Sequence, residues 1–205
     1  MDQDPAQSKK LANQTCELQI TIHFDGGSRG NPGVAGAGAE IVINSSASEI
    51  DTSGKATTAK STAIETTYLV RQYCGNNKTN NFAEYTGLLS GLQKAKSFVS
   101  EYVTKKTKQC ATSSSATSST KTLFQMNIYG DSNLIIQQLK GVYQCKNTNI
   151  RPLFDQCIQL IGELKNMGNG NNDVLYDHVY REQNKVADGE CDNKLLRFYC
   201  IQSTS

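Results

Sequence analysis

The stretch ELQITIHFDGGSRGNPGVAGAGAEIVI, residues 17–43, decides how the rest of the chain is read. From Glu17 to Phe24 the residues alternate. Leu18, Ile20, Ile22 and Phe24 face one way; Gln19, Thr21 and His23 face the other. A period of two marks a strand with one buried face. DGGSRGNPG then reads as a turn, and VAGAGAEIVI as a second strand whose small residues let another element come close. An acid, Asp25, therefore stands where a strand ends and a Gly-rich turn begins.

Further along, three more acids occupy comparable places. TTYLVRQY, residues 66–73, reads as a third strand, and NNKTNN, residues 76–81, as a turn cluster. Phe82, Tyr85, Leu88, Leu89, Leu92, Ala95, Phe98 and Val99 then recur at helical spacing. Asn81 is the expected N-cap of that helix, with Glu84 three residues on completing a capping-box-like start. TLFQMNIYG, residues 122–130, is a strand followed at once by Asp131 and the short helix SNLIIQQLKG, which closes at Gly141. Pro152 suits the first turn of the next helix. DVLYDHVY, residues 173–180, is the last strand, and NKVADGECDNKLLRF, residues 184–198, the last helix, carrying Asp188. The order β β β α β α α β α predicts a mixed sheet: an antiparallel meander, then strands reached by helical crossovers. Asp25 and Asp131 become neighbours if the first and fourth strands pair side by side.

Taken singly, each acid has an ordinary structural reading. Asp before Gly-Gly forms turns, Glu near a helix start caps it, Asp before Ser-Asn caps the next helix, and Asp188 suits a solvated helix face. Together, and in this order, they predict four carboxylates brought from distant segments to one face of a sheet. Such a cluster repels itself unless cations neutralise it. Oxygen-only donors suit Mg²⁺ or Mn²⁺, and two such ions about 3.5–4 Å apart can run an in-line phosphodiester displacement. No His- or Cys-rich cluster offers a zinc alternative, and no G-x-x-x-x-G-K-[ST] loop supports a nucleoside triphosphatase. GGSRGNPG is not a dinucleotide fingerprint, because the chain after it reads as a strand.

Composition narrows the setting. The formal net charge of +2 creates no strong global field, so any nucleic-acid binding must come from a local arrangement. The apolar share of 37% is diluted by two polar stretches, residues 45–64 and 104–120, which read as low-complexity insertions. Residues 1–16 read as a disordered tail and residues 17–200 as one domain. Seven cysteines, an odd number without C-x-x-C spacing, and no apolar leader segment point to reduced thiols in an intracellular setting, cytoplasmic or nuclear. Cys157 and Cys191 are expected to fill the core. No apolar run is long enough to span a membrane.

These residues resemble the type 1 ribonuclease H family. FDGGSRGNPGVAGAGAEIVI is similar to its first hairpin, TNNFAEYTGLLSGLQKA to its first helix, IYGDSNLIIQQLKG to its fourth strand and second helix, and HVYREQNKVADGECDNKL to its last strand and helix. The resemblance implies an α/β ribonuclease H-like fold, with a five-stranded mixed sheet flanked by helices. It implies a monomer that hydrolyses the RNA strand of RNA–DNA hybrids with two Mg²⁺ ions, or Mn²⁺, and leaves 5′-phosphate ends. By the same resemblance Asp25, Glu84, Asp131 and Asp188 are the catalytic, metal-binding acids. Asp25 would bridge both ions, and Glu84 would hold one and reach a ribose 2′-hydroxyl, the group that separates RNA from DNA. Asn31, Asn80, Asn81 and Asn133 match positions that touch the hybrid, with turn and cap formation as their ordinary reading.

The departures matter as much. Many members carry a mobile loop with a catalytic histidine before the fourth acid; here only YREQ separates Val179 from Asn184, and no histidine follows. The pattern resembles the short-loop subgroup, in which Arg181 becomes a candidate phosphate contact. His178 and His23 lie within strands and read as structural. The basic protrusion of some members is also missing, leaving Lys140, Lys146 and Arg151 as scattered candidates for phosphate, and nothing at the N-terminus resembles a separate hybrid-binding module. Asp192, one turn after Asp188, is a rival for the fourth acid. The alternative function is a catalytically silent nucleic-acid-binding module on the same fold, since fold does not fix function.

Overall fold

The computed structural model describes residues 18–47, 62–111, 124–167 and 172–191. β1 (Leu18–Arg29), β2 (Gly33–Ala47) and β3 (Thr62–Lys78) come first, followed by α1 (Asn80–Ala111), β4 (Phe124–Gly130), α2 (Asn133–Leu139), α3 (Arg151–Asn166), β5 (Asp173–His178) and α4 (Lys185–Cys191). A short 3₁₀ turn, Arg181–Gln183, links β5 to α4. The five strands form one sheet in the order β3-β2-β1-β4-β5. β1–β2 and β2–β3 are antiparallel; β1–β4 and β4–β5 are parallel. This is the mixed sheet predicted from the order of elements.

Several boundaries differ from the sequence reading, each for a pairing reason. DGGSR is not part of a turn: β1 continues through it, with Asp25 opposite Gly38 and Arg29 opposite Val34. Only residues 30–32 turn; Gly26, Gly27, Gly36 and Gly38 all pair between β1 and β2, while the β2–β3 register shifts between Gly33 and Gly36. β3 likewise reaches back to Thr62 and on to Lys78, because β2 offers it partners from Gly33 to Ala47. The predicted insertion at 45–64 is thus trimmed at both ends. The predicted insertion at 104–120 begins late, since α1 runs on to Ala111. The rest of both insertions, the tail at 1–16 and the chain after 191 lie outside the described residues.

The core sits between the sheet and α1, α2 and α3. Leu18, Ile20, Ile22 and Phe24 of β1 are buried with Phe124, Met126 and Ile128 of β4, while Gln19 between them is exposed. From the helices come Leu88, Leu92, Ala95 and Val99 of α1, Ile135 and Ile136 of α2, and Cys157, Ile161 and Leu164 of α3. Each large side chain buried in this way stabilises the fold by about 1.5–3 kcal/mol. Cys157 is the core filler expected of it. Tyr85 ties the three helices together: its hydroxyl donates to Gln138 Oε1 at 2.7 Å, and its ring meets Phe154 edge-on.

α1 lies unusually close to the strands. A Cβ on Gly87 would fall 2.5 Å from the Asp25 carbonyl oxygen and 2.7 Å from that of Gly38. The small residues of β2 therefore serve the close approach foreseen for them.

Candidate active site

Asp25, Glu84, Asp131 and Asp188 line a single cleft of about 310 Å³, together with Gly26, Ser28, Arg29, Asn80 and Arg181. Each acid arrives there by a separate local device. Phe24 pairs with Gly130, the last residue of β4, so Asp25, still within β1, and Asp131, just past the end of β4, stand side by side. Asp25 is buried, and its Oδ1 accepts the Gly26 N–H at 2.7 Å.

Glu84 reaches the cleft because Gly26 has no side chain. A Cβ there would overlap the backbone of Ala83 and Glu84. The helix start is not the one predicted. Thr79 occupies the cap: its Oγ1 accepts the Phe82 N–H at 3.3 Å and its carbonyl accepts that of Ala83 at 3.1 Å. Asn81 lies inside the helix instead, and Glu84 is released from any capping role. Burial raises the Glu84 pKa to about 8; a hydrogen bond with Ser132 opposes this, while Asp131 and Asp25 add to it. One carboxyl oxygen, Oε2, is buried without a hydrogen-bond partner.

Asp188 is placed by Asn184, which sequence reasoning passed over. Asn184 is buried, and its Nδ2 donates to the Phe24 carbonyl at 2.9 Å, fastening the start of α4 to β1 at the residue before Asp25. One helical turn later Asp188 faces the cleft, where it meets Asp25 and accepts a hydrogen bond from Arg181 Nη2 at 2.7 Å. That arginine is the main reason the Asp188 carboxyl is held below its ordinary pKa. The sequence offered only its position as a signal: Asn184 stands one helical turn before Asp188, and its burial, which makes a partner necessary, appears only in the fold. Asp192, its rival, lies outside the described residues.

The predicted contact residues divide. Asn80 Oδ1 accepts the Ser28 N–H at 2.7 Å, and Asn31 Oδ1 accepts the Asn80 N–H at 3.0 Å, so these two asparagines knit the β1–β2 turn to the start of α1. Asn80 also lines the cleft, as does Arg181. Asn133 begins α2, exposed, with its Oδ1 accepting from Gln137 at 3.2 Å. His178 Nε2 lies 3.1 Å from the Asp131 carbonyl oxygen, in keeping with a structural role beside the site. His23 stacks on Tyr129 away from the cleft, and its burial lowers its pKa. The chain has no other histidine.

The donor set suits a hard divalent cation. It consists of carboxylates, and one of them keeps a buried oxygen without a partner. Among the described residues, no three His, Cys, Asp or Glu side chains stand together as a ready set of ligands for one ion.

Sheet order and helix placement are those of the ribonuclease H fold, and the resemblance to type 1 ribonucleases H is borne out. The family described as "Reverse transcriptase-like" matches residues 118–192. The solved N-terminal RNase H domain of Rv2228c from Mycobacterium tuberculosis superposes with a TM-score of 0.54 at 26% identity, over 84% of this chain and 95% of that one. RNase H1 from the archaeon Halobacterium salinarum shares the fold, with a TM-score of 0.54 at 22% identity over 86% of this chain and 97% of that one. In sequence, the bifunctional protein Rv2228c of M. tuberculosis is 28% identical over 173 residues, covering 83% of this chain. The chain spans about a third of that curated relative, 34% of its length.

Proposed function

We propose that this protein is a metal-dependent endonuclease that hydrolyses the RNA strand of RNA–DNA hybrids and leaves 5′-phosphate ends. The observation that carries the reading is the convergence of Asp25, Glu84, Asp131 and Asp188, from four separate segments, on one cleft. Similarity to ribonucleases H in sequence and fold supports it, as does a neighbour of the same fold, LC11-RNase H1, solved in complex with an RNA/DNA hybrid.

Two Mg²⁺ ions bound at these acids, or Mn²⁺, would activate the attacking water and stabilise the leaving oxygen. By the resemblance to ribonucleases H, Asp25, Glu84, Asp131 and Asp188 would hold these ions, with Asp25 shared between them. Ser132 steadies Glu84 by hydrogen bond, and Asn184 holds Asp188 in reach. Asn80 and Arg181, on the cleft wall, contact the hybrid; Asn31, Asn81 and Asn133 extend that surface. We read residues 17–200 as one domain with surface insertions, acting as an intracellular monomer.

Cleavage of a strand-labelled hybrid at low salt tests this, beside matched RNA and DNA duplexes, for wild type and Asp131→Asn. Cutting confined to the RNA strand, and lost in the variant, is expected. A folded wild type that binds hybrid without cutting it in Mg²⁺ or Mn²⁺ would instead indicate the silent binding module.

A further inference from the structure

The cleft carries a positive charge of its own at the place where one acid is needed. Arg181 Nη2 donates to Asp188 Oδ1 at 2.7 Å, and both residues line the cleft beside Asp25 and Asp131. The pair is short and local, joining the 3₁₀ turn to α4. Its side chains are 73% and 34% exposed, so water screens the attraction and a competitor can break it. An arginine stays charged at any working pH, so it leaves the carboxylate by exchange and not by titration. The other side of the cleft is built differently. Glu84 keeps a buried oxygen, Oε2, to which no hydrogen-bond donor points.

We propose that Arg181 is a positioning residue that competes with a divalent cation for Asp188, so that the Asp188 side of the cleft loads more weakly than the Glu84–Asp131 side. The inference rests on the metal reading of the four acids. A cation arriving between Asp25 and Asp188 must displace Arg181, which is then left facing the cleft.

The test is a titration of the full chain with Mn²⁺ alone, without nucleic acid. Free ion is read by its paramagnetic resonance signal, and folding of each variant is checked by circular dichroism. Arg181→Gln is expected to bind Mn²⁺ about 2- to 5-fold more tightly in the weaker phase, the range an exposed ion pair commands. Arg181→Lys, which keeps the charge, is expected to stay nearer wild type. In an Asp188→Asn background, Arg181→Gln is expected to change nothing. Unchanged or weaker binding in Arg181→Gln overturns the proposal, and so does a gain that persists in Asp188→Asn. Undiminished Mn²⁺ binding in Asp131→Asn overturns the metal reading itself, whatever the arginine variants do.

Discussion

The two walls of the cleft solve the same electrostatic problem in opposite ways. On the wall made by β1, β4 and α1, Asp25 is buried and Glu84 half-buried, and burial together with the acidic neighbours raises the Glu84 pKa to about 8. On the wall made by the 3₁₀ turn and α4, Asp188 stays ionised because an exposed arginine neutralises it. The first wall is set by backbone packing and has little freedom to adjust. The second hangs on one buried asparagine and one screened ion pair. Repulsion among acids can thus be met by protonation or by a counter-ion, and this cleft uses both.

The comparison is broken most completely by removing the acid of the first wall that meets Asp188 of the second. Asp25→Asn is expected to lower hybrid cleavage by at least about 10³-fold, since metal-held charge stabilisation contributes several kcal/mol to such reactions. Its thermal midpoint should stay near that of wild type, because the substitution relieves crowding among acids. Single-turnover cleavage and a melting curve together check this.

Gly26→Ala attacks the rigid wall alone. The added carbon would overlap the backbone at Ala83 and Glu84, so α1 must shift. A loss of about 1–3 kcal/mol in denaturant unfolding is expected, with cleavage falling alongside as Glu84 moves.

The same wall predicts a pH effect in chelator. Glu84's pKa rises from 4.5 in the unfolded chain to about 8 in the fold, so folding favours its neutral form. Its contribution is therefore complete below about pH 4.5 and is lost as pH rises to about 8. That loss should be on the order of 1–4 kcal/mol. Glu84→Gln should flatten this part of the stability profile, and saturating Mg²⁺ should do the same in wild type.

On the adjustable wall the effects are smaller. Asn184→Ala removes the bond to the Phe24 carbonyl and leaves that buried acceptor unpaired, for a loss of about 1–3 kcal/mol. Arg181→Gln should change unfolding free energy by less than about 1 kcal/mol, because the pair is exposed. A larger cost for the arginine than for the asparagine would reverse the assignment of which contact holds α4.

Much of this was readable in advance, and what was missed has a common cause. The alternation of Leu18, Ile20, Ile22 and Phe24 announces β1, and the helical stripe from Phe82 to Val99 announces α1, because one buried face imposes its period on the residues that make it. Misplaced ends lie where a distant partner overrides the local pattern. DGGSR reads as a turn until β2 supplies partners for it. Asn81 reads as a cap until Thr79 is seen to hold the Phe82 and Ala83 amides.

The order of elements and the choice of the four acids were determined by the sequence alone, since periodicity and turn chemistry are local properties of neighbouring residues. Only the tertiary structure decided that β4 lies beside β1, that Gly26 and Gly87 let α1 descend onto the strands, that Asn184 ties α4 to Phe24, and that Arg181 claims Asp188. Each of these is a contact between segments, up to 160 residues apart in the case of Asn184 and Phe24. Such contacts leave no period in the chain; they exist only once the sheet has closed and the burial of each polar atom has made its partner obligatory.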